Sequence, residues 1–327
     1  MEENLQINNK EEEEDNEVNV TIDQPEEPEY APFIDITEFP GYSKYEEKHI
    51  CCCSFVYFPE LKTYFIGQWE IIPWLPLFVY LLAISAFVVI TVIGLTVFNR
   101  IEIIIILVIL FILLFMFLFN FSLVIFEGPG YYPFSLVHDN GNPPSVWAGI
   151  QTTIEQYSWV QLQSRPPRSA FFRTAHRYVI RPDHFCGWTS TWVGKRNFKF
   201  FILFNFYGMI YLLLFTIYII RALITFLYPF KLCASFVFSI IYTVLGALFT
   251  FMTGNFFFES FIHSLRNETN WEIWNNIDNS KFRKNSWKEN LQDVFGDVNM
   301  FLWFCPISPW HNKSNAEISA DYPTYDD

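Results

Sequence analysis

Residues 103–126 read IIIILVILFILLFMFLFNFSLVIF, a run of Ile, Leu, Phe and Val with almost no break. A bilayer core takes about 20 apolar residues per helical span, so this stretch predicts a transmembrane helix. Working outward, three more stretches have the same character: about 72–98, 200–227 and 232–258. The alternative is a set of buried helices in a large soluble core, and runs of this length argue against it. Composition agrees: only 17% of the 327 residues are charged, against roughly 25% in soluble domains. Arg221, near the outer end of the third stretch, reads as a snorkelling side chain. The sequence therefore predicts an all-α integral membrane protein with four transmembrane helices.

The net charge of -13 is unevenly placed. Residues 1–48 carry 16 Asp and Glu against Lys10, Lys44 and Lys48, while the rest of the chain holds 18 basic and 18 acidic side chains. No surface here neutralises phosphates along a duplex, which excludes nucleic acid as a partner. The tail, with Glu11-Glu12-Glu13-Glu14-Asp15, is expected to be disordered, and its polarity does not read as a secretory leader. Six cysteines are too few for a disulfide scaffold. An even number of spans puts both termini on one side. The loop between spans two and three holds Arg165, Arg168, Arg173, Arg177, Arg181, Lys195 and Arg196. The positive-inside rule makes that loop, and both termini with it, cytosolic. The sequons at Asn19, Asn267 and Asn312 should then carry no glycan. The expected division is an acidic tail (1–48), a juxtamembrane segment with spans one and two (49–126), a cytosolic loop domain (127–197), spans three and four (198–258) and a cytosolic C-terminal region (259–327).

Within the loop lie Arg165-Pro166-Pro167-Arg168-Ser169, then Asp183-His184-Phe185-Cys186-Gly187-Trp188, then Val193-Gly194-Lys195-Arg196-Asn197. A thioester exchange needs a thiolate, and Cys186 is the only cysteine in this loop. His184 is a suitable base. In an extended segment the two side chains share a face, roughly 6–7 Å apart, and Asp183 can orient the imidazole.

The ordered set resembles the Asp-His-His-Cys (DHHC) protein S-acyltransferases, with a loop domain of that kind between helices two and three. Other pieces agree in order: Pro129-Gly130 after span two, Thr269-Asn270-Trp271-Glu272 after span four, and Asn290 with Val294-Phe295-Gly296. The resemblance implies that Cys186 takes an acyl chain from palmitoyl-CoA and passes it to cytosolic juxtamembrane cysteines of protein substrates. His184 would be the base and Asp183 its support, with Thr269, Glu272 and Asn290 as structural motif residues. It implies residence in an endomembrane (Golgi or ER) or the plasma membrane. Arg165, Arg168, Lys195 and Arg196 are candidates to meet CoA phosphates; positive-inside bias explains each equally well.

The family pattern also carries eight zinc ligands. Those places hold Ser158, Gln161, Phe171, Tyr178, Phe172, Ala175, Phe185 and Trp192, and zinc takes thiolate, imidazole or carboxylate. The expectation is no zinc, with an aromatic mini-core of Phe172, Ala175, Phe185 and Trp192 in its place. Gly187 and Asn270 also depart from the pattern, in place of a Pro and a Thr. Cys51-Cys52-Cys53 is a candidate juxtamembrane acylation cluster. A catalytically silent DHHC-like scaffold is the competing reading. A channel is disfavoured because the spans hold almost no ionisable residues.

Overall fold

The computed structural model of the chain describes residues 46–50, 53–58, 63–66, 69–70, 74–131, 167–172, 175, 177–228, 230, 232–320, 322–323 and 325. The acidic tail as far as residue 45, with its expected disorder, lies outside them. Among the described residues, four helices are long and apolar enough to cross a membrane. They are α1 (Trp74–Val97), α2 (Arg100–Glu127), α3 (Phe198–Leu227) and α4 (Ala234–Arg266). Large apolar side chains such as Phe111, Ile112 and Phe115 point outward and are exposed, as lipid-facing positions require. The protein is mostly helical and multi-pass.

Local signals set the helix ends. Asn99 accepts the Glu102 N–H at 2.9 Å and opens α2. Helix α4 runs eight residues past the end of its apolar stretch, since nothing interrupts it until Asn267, which is left-handed at φ 52°. The bilayer signal and the helix signal therefore end at different places. Helix α3 is the centre of the bundle, packing against α2 and α4. A Cβ on Gly246 of α4 would come within 2.4 Å of Thr216 Oγ1, so glycine there permits the close helix approach that membrane bundles use.

Ahead of α1, the strands β1 (Glu46–Ile50), β2 (Cys53–Phe58), β3 (Thr63–Ile66) and β4 (Trp69–Glu70) form an antiparallel sheet in sequence order. The sequence reading treated this segment only as juxtamembrane chain. Between α2 and α3 lie two hairpins, β5 (Ser169–Phe172) with β6 (Arg177–Ile180), and β7 (His184–Cys186) with β8 (Thr191–Val193).

The hairpins are fastened to the bundle at one joint. Asn197, fully buried, donates from Nδ2 to the carbonyls of Val124 (3.0 Å) and Trp192 (2.9 Å), and its Oδ1 accepts the Gly194 N–H at 2.8 Å. One amide thus ties the end of α2 to β8 and the start of α3. A Cβ on Gly194 would sit 2.8–2.9 Å from Ile180 O, Pro129 Cβ and Pro129 O. Two of these three are backbone atoms that cannot give way. We expect Gly194→Ala to destabilise the protein by about 1–3 kcal/mol, read as a lower thermal unfolding midpoint in detergent; an unchanged midpoint would refute the joint.

Candidate active site

The β7–β8 hairpin pairs His184 with Val193, Phe185 with Trp192 and Cys186 with Thr191. Alternation along β7 sends His184 and Cys186 to one face and Phe185 to the other. The structure brings Asp183, His184 and Cys186 together. Asp183 Oδ2 lies 2.7 Å from His184 Nδ1, which leaves Nε2 for the thiol. The imidazole also meets the Phe201 ring edge-on at 4.9 Å. Asp183 is held in turn by its own N–H, donated to Val193 O at 2.9 Å, and by the Asn270 N–H, which reaches Oδ1 at 3.1 Å. Asn270 Nδ2 approaches Oδ2 at 3.4 Å. A backbone donor therefore supports the carboxylate at the place where the side chain departs from the family pattern.

The electrostatics follow from these contacts. Burial opposes the Cys186 thiolate, but the hydrogen bond and charge of His184, with Thr189 assisting, outweigh it and lower the thiol pKa. Burial likewise opposes the charged imidazole, yet Asp183 and Cys186 raise His184 to about 10. Burial also opposes ionised Asp183, and the His184 hydrogen bond and charge, the Asn270 N–H and Arg181 together bring it below the usual carboxylate range. The contacts thus favour the thiolate–imidazolium form of the pair, with the carboxylate behind it.

The other predicted residues fall into place differently. Thr269 and Glu272 form a capping box at the start of α5 (Asn270–Trp274). Glu272 also takes a two-pronged contact from Arg168, Nε–Oε1 2.8 Å and Nη2–Oε2 3.0 Å. Arg168 Nη1 donates to Asn267 Oδ1 (2.9 Å), and Nη2, shared with Glu272, donates also to Asn267 O (2.7 Å). Asn290, on α6 (Trp287–Phe295), donates to Leu265 O and accepts the Lys284 N–H, both at 2.8 Å. Lys195 donates to Asp293 O at 2.6 Å and to the Tyr322 hydroxyl. Arg196 bonds Glu127, Trp310 O, Lys313 O and Asn315.

The expectation that Arg168 and Lys195 meet CoA phosphates is therefore corrected. Their side chains are 0% and 2% exposed, with their nitrogens engaged by protein acceptors. Burial lowers Lys195 to about 7 against the pull of Asp293. Arg165 lies outside the described residues, as do Ser158, Gln161, Cys51 and Cys52. Two residues outside the sequence reading matter here, with a third whose burial it did not foresee. The Tyr322 hydroxyl donates to both Asp293 oxygens (2.7 and 2.6 Å) and the Tyr325 hydroxyl to Glu272 Oε1 (2.9 Å). Arg181, fully buried and read only as a loop base, pairs with Asp293 at 3.9 Å. Nothing in the local sequence signalled a C-terminal strap tied down by two tyrosines.

Behind the pair opens a cavity of about 290 Å³, lined by His184 and Cys186 and by apolar side chains of all four long helices. On α3 the lining runs from Phe201 to Phe215, about 21 Å along the helix axis. Beside the hairpin, Phe172 stacks on Trp192 at 3.8 Å, Phe185 meets Trp192 at 6.1 Å, and Phe171 meets Tyr178 at 5.4 Å. Ala175 is buried in the same cluster, whereas Phe185 is 44% exposed and lies outside it, so the expected four-residue mini-core is corrected to Phe172, Ala175 and Trp192.

A lowered Cys186 pKa means that its thiolate persists below the ordinary thiol range and is lost only as pH falls through the lowered value. Raised His184 keeps its proton up to about 10, so the pair exists between the two. Alkylation of Cys186, followed against pH with Cys186→Ser as blank, should titrate below the usual value of about 8.5. Replacing His184 by Ala should move the midpoint upward; an identical profile in the two would refute the pairing.

Residues 151–277 match the family model described as DHHC palmitoyltransferase. The chain is 27% identical over 229 residues to probable protein S-acyltransferase 12 of Arabidopsis thaliana, covering 62% of this chain and 74% of that protein. It is 28% identical over 213 residues to palmitoyltransferase ZDHHC9 of Danio rerio, covering 56% of this chain and 52% of that protein. Over 80 residues, 24% of this chain and 14% of the relative, it is 36% identical to palmitoyltransferase ZDHHC14 of Danio rerio.

Proposed function

Because residues 151–277 match the DHHC palmitoyltransferase family model, we propose that Cys186 is an acyl carrier, with His184 as the proton-transferring group and Asp183 as its support. The observation that carries this is the Asp183–His184–Cys186 constellation at the mouth of an apolar cavity. The Cys186 thiolate attacks the carbonyl carbon of acyl-CoA. The carbon–sulfur bond to CoA breaks, and the CoA sulfur leaves with the His184 proton. In the second half a substrate cysteine gives its proton to His184 and attacks the Cys186 thioester, which restores the thiolate. The acyl chain lies in the cavity, where each buried methylene contributes about 0.8 kcal/mol. Palmitoyl-CoA is the proposed donor, and membrane-associated proteins with cytosolic juxtamembrane cysteines are the proposed acceptors. Loop bases put the hairpins and both termini in the cytosol, on an endomembrane or the plasma membrane. The five-part division of the chain stands as part of this reading.

The loop domain is proposed to fold without zinc. At six of the eight places where the pattern sets a ligand stand Phe171, Phe172, Ala175, Tyr178, Phe185 and Trp192, and the ring contacts among the aromatics do the joining. Such side chains do not fit zinc, and no step of the transfer runs through a metal. A silent scaffold would have no need of the ordered hydrogen bonds to Asp183.

Two measurements test these statements. Purified protein given a palmitoyl-CoA analogue should acquire a hydroxylamine-sensitive label, absent in Cys186→Ser; label in both, or in neither, rejects the carrier assignment. Trp192→Ala should cost about 3–5 kcal/mol of stability, while a strong zinc chelator leaves the unfolding midpoint unmoved. A midpoint that drops with chelator overturns the metal-free reading.

A further inference from the structure

The cavity wall is apolar except at a few places. Asn205, on α3, lies one helical turn beyond Phe201, the ring against which His184 rests, and it lines the cavity. It is fully buried. Its Nδ2 donates to Phe201 O at 2.8 Å, and its Oδ1 has no hydrogen-bond partner. Thr253, on the α4 wall, has its hydroxyl proton engaged by Phe249 O (2.8 Å) and Thr250 O (3.2 Å). Tyr242, also in the wall, donates to Ser85 Oγ at 2.8 Å. Of these, Asn205 Oδ1 is the acceptor left without a donor; Trp188, which also lines the cavity, carries an indole N–H. Asn120 has the same back-bonded amide and an orphan oxygen, but it lies outside the cavity wall.

A buried acceptor without a donor is costly, and a purely hydrocarbon chain supplies none. Four residues along α3 is about 6 Å, so Asn205 stands beside the first few carbons of a chain whose carbonyl is at Cys186. We propose that the cavity is built for an acyl donor with a hydroxyl near its thioester end, a 3-hydroxyacyl-CoA, whose O–H donates to Asn205 Oδ1. This deepens the acyl-transfer reading and rests on it. The transfer itself is unchanged: the hydroxyl is neither oxidised nor displaced. A 3-oxo chain brings no donor and would leave Asn205 Oδ1 unpaired.

Full-length protein in phospholipid vesicles, given equal amounts of palmitoyl-CoA and 3-hydroxypalmitoyl-CoA, tests this. Mass spectrometry of the Cys186 thioester should show the hydroxylated form about twofold to tenfold in excess, the ratio one hydrogen bond commands. Asn205→Leu should bring the ratio to one or below, and 3-oxopalmitoyl-CoA should show no advantage over palmitoyl-CoA. Each result is a ratio within one sample, so partial folding of the variant does not alter it. Equal labelling of the wild type by the two donors, a preference that survives in Asn205→Leu, or an equal advantage for the 3-oxo chain overturns the proposal and leaves acyl transfer standing. Absence of both thioesters overturns the acyl-transfer reading and this one with it.

Discussion

The buried ion pair between Arg168 and Glu272 is the contact on which the rest of the site depends. Both side chains are completely buried, and each serves more than one element. Arg168 belongs to the loop between spans two and three, and Glu272 to the turn after span four. Through the capping box with Thr269, Glu272 fixes the first turn of α5, and that turn carries the N–H that Asn270 gives to Asp183. Loss of either partner would leave an uncompensated buried charge, typically at 3–5 kcal/mol. The value of the pair lies less in net stability than in register: it decides which carbonyls and carboxylates face one another across segments a hundred residues apart.

From that joint the order passes inward. Asp183 holds the imidazole, and the imidazole lowers the thiol despite its burial. A cysteine in apolar surroundings without such a partner would be pushed the other way. The site therefore combines two features that ordinarily conflict: an apolar cavity and, at its edge, a thiol drawn toward its charged form. The β7–β8 hairpin reconciles them by placing the ion pair at the edge of the bundle, against Phe201.

The C-terminal strap adds a second fastening. Tyr325 reaches the same carboxylate as Arg168, and Tyr322 joins Asp293, Lys195 and Arg181 into one buried group. Bases that a linear reading assigns to a phosphate-bearing ligand are drawn instead into the protein. Charge counting along a chain finds bases; it does not reveal which of them meet a carboxylate contributed from far away.

The sequence by itself determined the four spans, the placing of the chemistry between the second and third, and the Asp183, His184 and Cys186 set. These are local properties: hydropathy accumulates along a contiguous run, and residues two apart on a strand share a face. The roles of Arg168 and Lys195, the strap of Tyr322 and Tyr325, the sheet before α1 and the orphan oxygen of Asn205 were settled only by tertiary structure. Each depends on a partner, or the lack of one, distant in sequence. Burial and hydrogen bonding are sums over neighbours in space, and no window along the chain contains those neighbours.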